Sequence, residues 1–373
     1  MDIMTKKRIP AWLMLPALLL ALSFNFVACH KNAPALPDYT QEAWYAYLDS
    51  AQVRESRGLA HADEYEWYAL RLNNIDSAKV EPFHFRTCRY PYSDAKRSSL
   101  PSGTQDYTPT REGLDGLNIS GSGSYSYKEL LYLVDELKGL AGNNPIYIVN
   151  LRQEWNFFVN GQGLSAYGYN NWANIGRSKA DIVRGEKELL ESFRGTTILT
   201  GEFGSENDYQ LLPENVVELD VEDEFTFTEE AAVAHIAKEK GLDLRFYRVT
   251  ALDHTFATDD VIDDFIAFYR TVPGNAWVHL HCAGGNGRTS VFMAFFDMLR
   301  NPEISEKDIV YRQCLIGGTC AYFEYYPGVK EWRIPLFTET SHMIHVMKMY
   351  ADQNVGNGYS KSWSQWKKET FGK

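Results

Sequence analysis

The sequence predicts an α/β fold in which helices cover a sheet of mainly parallel strands. Short apolar runs typical of buried strands occur at 146–149, 244–249 and 276–280, and stretches with helical periodicity separate them. This alternation is typical of a parallel sheet with helices on its faces and a ligand site at the carboxyl ends of the strands. An apolar content of 45% and an aromatic content of 14% in 373 residues supply enough side chains for a substantial core.

Capping patterns mark where two of the predicted helices begin. Ser126 stands three residues before a glutamate and an apolar stretch, and we expect Gly139 to end that helix. Thr226 also stands three residues before a glutamate, and we expect Gly241 to close the helix that follows. Each helix therefore leads into one of the predicted strands.

The segment from Trp155 to about Leu219 differs in composition from its surroundings. It is rich in Tyr, Asn, Gly and Thr and contains short alternating runs, which predict β-structure and loops. Near the C-terminus, the aromatic run from Gly358 to Trp366 is predicted to dock on the core, because large apolar rings are stabilised by burial.

The first 28 residues have the organisation of an export signal. Three basic residues at 6–8 precede an apolar run from Ala11 to Leu22, which is typical of a secretory signal rather than a membrane-spanning helix. Residues Phe26 to Cys29 are similar to a bacterial lipoprotein box, and we expect Cys29 to carry lipid after cleavage. A plain signal peptide cut nearby is the alternative. The protein is thus expected to be exported, to the periplasm or to the outer membrane as a lipoprotein.

Residues 29–60 are predicted to connect this signal to the main domain. They are polar, with two prolines near their start, which indicates a tether leading into a short helix from Gln41 to Val53. The main domain is predicted to span 61–373.

The charge of the chain limits its partners. The formal net charge is −12, and it becomes −14 when residues 1–28, with three basic residues and one acid, are removed. Such a protein lacks the general basic surface that nucleic-acid binding requires, so no nucleic-acid partner is expected. An anionic ligand needs a local basic patch, for which Arg86 with Arg89, and Arg333 with Lys330, are candidates. Most such side chains only face solvent, which is the alternative.

The ten residues from His281 to Ser290 carry the strongest functional signal. Cys282 lies where a predicted strand meets a predicted helix, facing backbone N–H dipoles and Arg288, and this setting favours the thiolate that attacks phosphorus. The five intervening residues let the loop curl so that Arg288 holds the same phosphate whose phosphorus faces the sulfur. The alternative is a buried cysteine beside an ordinary glycine turn.

Residues 282–287, here named the Cys282 loop, are predicted to hold the phosphate mainly with backbone groups. Glycines without a Cβ allow positive φ, so consecutive N–H groups can converge on an anion. The expected phosphate contacts are Ala283, Gly284, Gly285, Asn286 and Gly287, with Thr289.

Asp253 is the candidate acid for such a reaction. Breaking a phosphate monoester leaves an alkoxide that must be protonated, so a carboxylic acid has to lie opposite the thiolate. Asp253 follows a predicted strand and precedes a helix start at Thr258, which places it near the same edge of the sheet. A hydrogen bond from His254 to the phosphate is also expected. The alternative is that both residues are ordinary surface groups.

These segments resemble a known family, the protein-tyrosine-phosphatase-like (PTP-like) inositol phosphatases, also called cysteine phytases. The residues that carry the resemblance are His281-Cys282 with Arg288-Thr289, the Asp253-His254 pair, the Leu151 to Glu154 patch and the Trp172 to Gly176 patch. The resemblance covers most of the chain from about Pro82 and implies a PTP-like core interrupted by a small partial β-barrel, for which 155–219 is the candidate.

The resemblance also implies the activity. It implies a phosphomonoesterase that hydrolyses inositol hexakisphosphate and its lower esters through a phosphocysteine, without a cofactor, with Asp253 as acid and then base. It further implies that Arg86 and Arg333 bind substrate phosphates. A phosphotyrosine or phosphoinositide phosphatase, and a non-catalytic phosphate-binding lipoprotein, remain alternatives. We expect a monomer whose only membrane contact is the lipid anchor.

The remaining cysteines leave one question open and predict no metal site. In an oxidising compartment Cys314 and Cys320 can form a small disulfide loop, and a free pair is the alternative. No set of Cys and His has the spacing of a zinc site, so no metal is expected.

Overall fold

The computed structural model describes residues 67–74, 80–203, 211–322, 329 and 333–372. The predicted export signal, Cys29, the tether and the helix from Gln41 to Val53 lie outside the described residues. Within them, two mixed sheets pack with helices, so the predicted α/β fold is confirmed.

The elements alternate along the chain. The strands are β1 (Trp67–Asn74), β2 (Arg86–Thr87), β3 (Ile119–Ser122), β4 (Ile146–Arg152), β5 (Asn156–Val159), β6 (Gln162–Gly168), β7 (Thr197–Phe203), β8 (Leu211–Asp220), β9 (Phe227–Thr228), β10 (Leu244–Ala251) and β11 (Trp277–His281). The helices are α1 (Asp94–Arg97), α2 (Tyr127–Ala141), α3 (Lys179–Phe193), α4 (Glu229–Lys240), α5 (Asp259–Thr271), α6 (Gly287–Arg300), α7 (Glu306–Leu315), α8 (Arg333–Asn354) and α9 (Trp363–Phe371).

The first sheet has the order β10-β4-β11-β3-β2, and its first four strands are parallel. Strands β4 and β11 lie in the middle and are buried along their whole length, which explains their continuous apolar runs. Helix α6 packs closely on β3, because a Cβ at Gly121 would lie 2.6 Å from atoms of Met293 and Thr289. The carboxyl ends of the four parallel strands therefore meet at one edge.

The two helices that the capping patterns predict are present, each with one error at an end. Helix α2 begins with the expected capping box at Ser126, but it continues past Gly139 to Ala141, and Gly142 caps it. A glycine inside a helix is tolerated when the apolar face continues to pack. Helix α4 is capped by Thr228, whose side chain accepts from Ala231 N, and not by Thr226. Gly241 closes α4 in a left-handed conformation, as predicted.

The second sheet has the order β8-β7-β1-β6-β5-β9 and contains the strands from 156 to 220. Apart from β1, all of its strands come from the chain between β4 and β10. The expectation of β-structure and loops for this region missed helix α3. Ser178 caps α3 by accepting from Asp181 N, and Ile182, Leu190 and Phe193 form its buried stripe. The charged residues between them obscured this helical period.

The C-terminal aromatic run packs on the core, as predicted. Trp363 is fully buried, and its indole Nε1 donates to Asp259 at the start of α5 over 2.7 Å. Across the described ranges, no helix combines the length and the apolar character that a bilayer crossing needs.

Candidate functional site

The site lies at the edge where the four parallel strands end. Cys282 directly follows β11, Gly123 directly follows β3, Glu154 comes two residues after β4, and Asp253 comes two residues after β10. Sequence-distant residues meet here because parallel strands end at the same edge of a sheet.

The backbone of the Cys282 loop is held from outside. Ser124 N donates to Ala283 O over 2.9 Å, the His84 ring contacts Gly284 O over 2.8 Å, and Arg86 donates to Gly285 O over 2.7 Å. In a trans peptide the N–H points opposite to the preceding carbonyl. Three successive N–H groups, on Gly284, Gly285 and Asn286, therefore point to the inside of the loop.

The sulfur lies inside this curve. The N–H of Gly285 contacts Cys282 Sγ at 3.2 Å, and the cysteine is only 3% exposed. Gly285 has φ +72°, and a Cβ there would lie 2.4 Å from Gly123 N, so only glycine fits this position. The loop can thus surround an anion that rests on the sulfur.

Arg288 is fixed by a carboxylate to which the sequence reasoning gave no role. Glu154 accepts from Arg288 Nη1 over 2.7 Å and from Arg288 Nη2 over 2.9 Å, and from Arg152 Nε over 2.7 Å. Burial alone would raise the pKa of Glu154, but Arg288 and Arg152 lower it to about 2. Arg288 Nε is buried and has no hydrogen-bond partner among the described residues.

Asp253 lies beside the same guanidinium. Its Oδ2 is 3.2 Å from Arg288 Nη2 and accepts from Asn171 Nδ2 over 3.0 Å, while Trp172 Nε1 donates to its backbone carbonyl. Burial would raise the pKa of Asp253, but Arg288, and then His254, hold it well below its usual range. A phosphate bound to Arg288 would compete for this cation, and the carboxyl would then take up a proton more easily.

His254 follows in a left-handed conformation with φ +63°. Its Nε2 is 3.9 Å from Asp253 Oδ2, and burial chiefly lowers its pKa. The structure therefore brings His254, Asp253, Arg288 and Cys282 together, as the sequence predicted.

Arg86 is buried next to the Cys282 loop. It is 1% exposed and donates to His84 O, Gly285 O and Ser290 Oγ, so it stabilises the Cys282 loop from behind. Burial lowers the pKa of Arg86 to about 10. Arg86 does not line the cavity described below, and its expected contact with a substrate phosphate stays a prediction.

A cavity of about 1160 Å³ opens above the Cys282 loop. Arg333, at the start of α8, lines it as predicted, and Arg71 on β1 lines it from the second sheet. Leu70 and Leu72 are buried, whereas Arg71 between them lines the cavity, as expected for a strand with one buried face. This alternation of apolar and polar residues is visible in the sequence, and it could have identified Arg71 as a residue on the open face of the strand.

Among the described residues, no disulfide joins Cys314 to Cys320 in this structure, and their pairing in an oxidising compartment stays a prediction. A hydrogen bond from Cys320 is the main cause that lowers the pKa of Cys314. Among the described residues, no three His, Cys, Asp or Glu side chains are grouped as a metal site requires.

This fold and this loop define a PTP-like α/β protein with a cysteine at a phosphate-sized backbone cradle. Residues 149–300 match the model of the PTP-like phytase family, which is described by inositol hexakisphosphate. The resemblance read from the sequence is therefore confirmed.

Solved structures with this fold include three from two bacteria. The tandemly repeated protein tyrosine phosphatase like phytase from Mitsuokella multacida is 35% identical, with a TM-score of 0.72, over 81% of this chain and 49% of that chain. The PTP-like myo-inositol phosphatase of the same organism, in complex with myo-inositol-(1,3,4,5)-tetrakisphosphate, gives the same values. A PTP-like phytase from Bdellovibrio bacteriovorus is 25% identical, with a TM-score of 0.55, over 80% of this chain and 94% of that chain.

A curated relative is also similar. Effector protein hopD2 of Pseudomonas syringae pv. tomato is 24% identical over 280 residues, which are 72% of this chain and 54% of the relative. The chain spans about half the length of hopD2 and of the Mitsuokella multacida chains.

Proposed function

We propose that the protein is a phosphomonoesterase that removes phosphate from inositol hexakisphosphate and lower inositol phosphates through a phosphocysteine at Cys282. The observation that carries this proposal is the Cys282 loop, in which the Gly285 N–H lies against the sulfur and the carbonyl groups of Ala283, Gly284 and Gly285 are bound from outside. Backbone donors and a fixed guanidinium stabilise the charge that develops on a transferring phosphoryl group.

The steps follow from the positions of the side chains. The Cys282 thiolate attacks phosphorus while Asp253 gives its proton to the leaving oxygen, and phosphocysteine and an alcohol form. Water then attacks the phosphocysteine, Asp253 takes a proton from it, and phosphate leaves with the thiolate restored. Arg288 holds the equatorial oxygens in both steps.

The substrate class is supported by the cavity. It is large enough for more than one phosphate, and Arg71 and Arg333 bring two further guanidinium groups to its wall. Remote phosphates that bind these cations can position the reacting one. The neighbour bound to an inositol tetrakisphosphate supports the same class.

The decisive experiment compares Cys282→Ser with the unaltered protein. The variant should bind inositol hexakisphosphate but lose nearly all turnover, because a hydroxyl is far less ionised than a thiol. Phosphate release would be measured for inositol hexakisphosphate and for a phosphotyrosine peptide. Substantial turnover by the serine variant would contradict the mechanism, and a clear preference for the peptide would contradict the substrate. Binding without turnover by the unaltered protein would favour a non-catalytic lipoprotein.

We also propose, from the sequence alone, that the protein is exported and anchored through lipid on Cys29. Mass spectrometry of the mature N-terminus tests this, and a terminus without lipid at residue 29 would contradict it.

A further inference from the structure

An exposed aromatic ring lies at the rim of the cavity. Phe83 is 55% exposed, and it lines the cavity together with Cys282, Ala283 and Gly284. About half of the Phe83 side chain is therefore exposed to solvent beside the Cys282 loop, where a bound ligand can contact its ring.

The backbone of Phe83 is fixed next to the Cys282 loop. Gly123 N donates to Phe83 O over 2.7 Å, and the next residue, Ser124, donates to Ala283 O over 2.9 Å. A Cβ at Gly123 would lie 3.2 Å from Phe83 O and 3.1 Å from Ala283 O. The end of β3 therefore holds the Phe83 segment and the Cys282 loop side by side.

The ring of Phe83 is supported on one side. Its centroid lies 3.8 Å from that of His84, with 36° between the ring planes, and His84 Nδ1 contacts Gly284 O. The backbone of His84 has φ +56°, in the left-handed region that histidine adopts more often than most residues. Phe83 and His84, here named the aromatic platform, are thus held in a fixed position relative to the loop.

The cavity wall carries both polar and aromatic groups. Arg71 and His254 supply polar groups, and Phe83, Tyr322 and Phe337 supply aromatic surface. An inositol phosphate carries charged groups around its ring and uses the polar groups. An aryl phosphate carries its single charged group on a flat apolar ring, which matches an aromatic surface beside a phosphate cradle.

We propose that the aromatic platform receives the aryl ring of phosphotyrosine, which gives the protein a second activity on phosphotyrosine-containing peptides. This inference rests on the Cys282 chemistry of the proposed function. The thiolate takes the phosphoryl group, the ester bond to the phenol breaks, and Asp253 protonates the tyrosine oxygen. Water then releases phosphate from Cys282.

The test uses Phe83→Ala, Phe83→Trp and the unaltered protein. Phe225→Ala is the matched control, because Phe225 is also an exposed phenylalanine, at 40%, and does not line the cavity. The substrates are a phosphotyrosine peptide without acidic neighbours, the same peptide with phosphoserine, and inositol hexakisphosphate.

Phe83→Ala should lower kcat/KM for the phosphotyrosine peptide about 3- to 10-fold, since this is the range that an aromatic pair contributes. Phe83→Trp should retain the activity, and Phe225→Ala should not change it. Phe225→Ala should leave turnover of inositol hexakisphosphate within about two-fold. Phe83→Ala should lower turnover of inositol hexakisphosphate less than it lowers turnover of the peptide, because the phosphates of that substrate contact the polar groups of the cavity.

Three results would overturn the inference. They are no turnover of the peptide by the unaltered protein, equal turnover of the phosphoserine peptide, and an equal loss on the peptide and on inositol hexakisphosphate in Phe83→Ala. Each leaves the proposed function intact if inositol hexakisphosphate is still hydrolysed. If the unaltered protein hydrolysed none of the three substrates, the proposed function itself would be refuted.

Discussion

Replacing Glu154 with glutamine tests whether the orientation of Arg288 limits catalysis. The carboxylate accepts two hydrogen bonds from Arg288 and one from Arg152, and it is 1% exposed. Glutamine has the same shape but only one oxygen, and its NH2 group faces a guanidinium. One charge-assisted hydrogen bond to Arg288 is therefore lost, and the second is weakened.

The size of the effect follows from these contacts. A hydrogen bond to a charged group contributes about 1.5–3 kcal/mol, which corresponds to a roughly 10- to 100-fold loss in kcat/KM if the bond sets the position of Arg288. The pKa of Glu154 falls from its usual 4.5 to about 2, so the pair stabilises the native state by about 3 kcal/mol at neutral pH. Because this pKa is depressed, the stabilisation is present above pH 4.5 and is lost as pH falls towards 2.

The assay combines kinetics with thermal unfolding as a function of pH. Asp297→Asn is the matched control. Asp297 lies on α6, the helix that also carries Arg288, and it is a fully buried carboxylate that accepts a hydrogen bond from Arg312 Nε over 2.8 Å. Both variants should be less stable, but only Glu154→Gln should lose activity, and its stability should depend less on pH below 4.5. A folded Glu154→Gln protein with unchanged kcat/KM would refute the reasoning.

Two further predictions concern the acid and the arginines. Asp253→Asn should lower turnover of inositol hexakisphosphate about 10²- to 10⁴-fold, because the leaving oxygen loses its proton donor. The variant should also no longer lose activity as pH rises, since Asp253 acts only when protonated and Arg288 lowers its pKa. A pH-rate profile that is unchanged in shape would contradict this. Arg333→Ala should lower kcat/KM for inositol hexakisphosphate roughly ten-fold or more and leave kcat/KM for a small aryl phosphate unchanged. Arg86→Ala should lower kcat/KM for both substrates and the Tm of the protein, because it removes the hydrogen bond from Arg86 to the Cys282 loop. Equal effects of the two alanine variants on both substrates would show that this division of roles is wrong.

The local sequence predicted the elements that are specified locally. The Ser126 capping box and the glycine that closes α4 were correct because they depend on residues within one turn. The Cys282 loop was recognisable because its cysteine and glycines and the adjacent Arg288 lie within seven residues. The roles of Cys282, Asp253 and His254 remain predictions, although the structure places all three at one cavity.

Contacts between distant segments could not be read in this way. Arg86 and Arg71 are both single arginines near strands, and only the packing of the loop shows that one is buried behind it while the other faces the cavity. The pairing of Glu154 with Arg288 joins residues 134 positions apart. Such pairs depend on the order of strands in the sheet, which the periodicity of a single sequence does not determine.

The connection between β4 and β10 allows the ligand-binding wall to change in evolution while the catalytic groups are kept. The chain departs after β4 and returns at β10, so nearly all of the second sheet is one continuous segment, from 156 to 228. Substitutions or insertions in that segment alter the wall that faces the ligand without changing the strands that carry Cys282 and Asp253, as long as Asn171 and Trp172, which bind Asp253, are kept. We expect selectivity among phosphate esters to diverge mainly through this segment and through β1, while the bond-breaking groups stay constant.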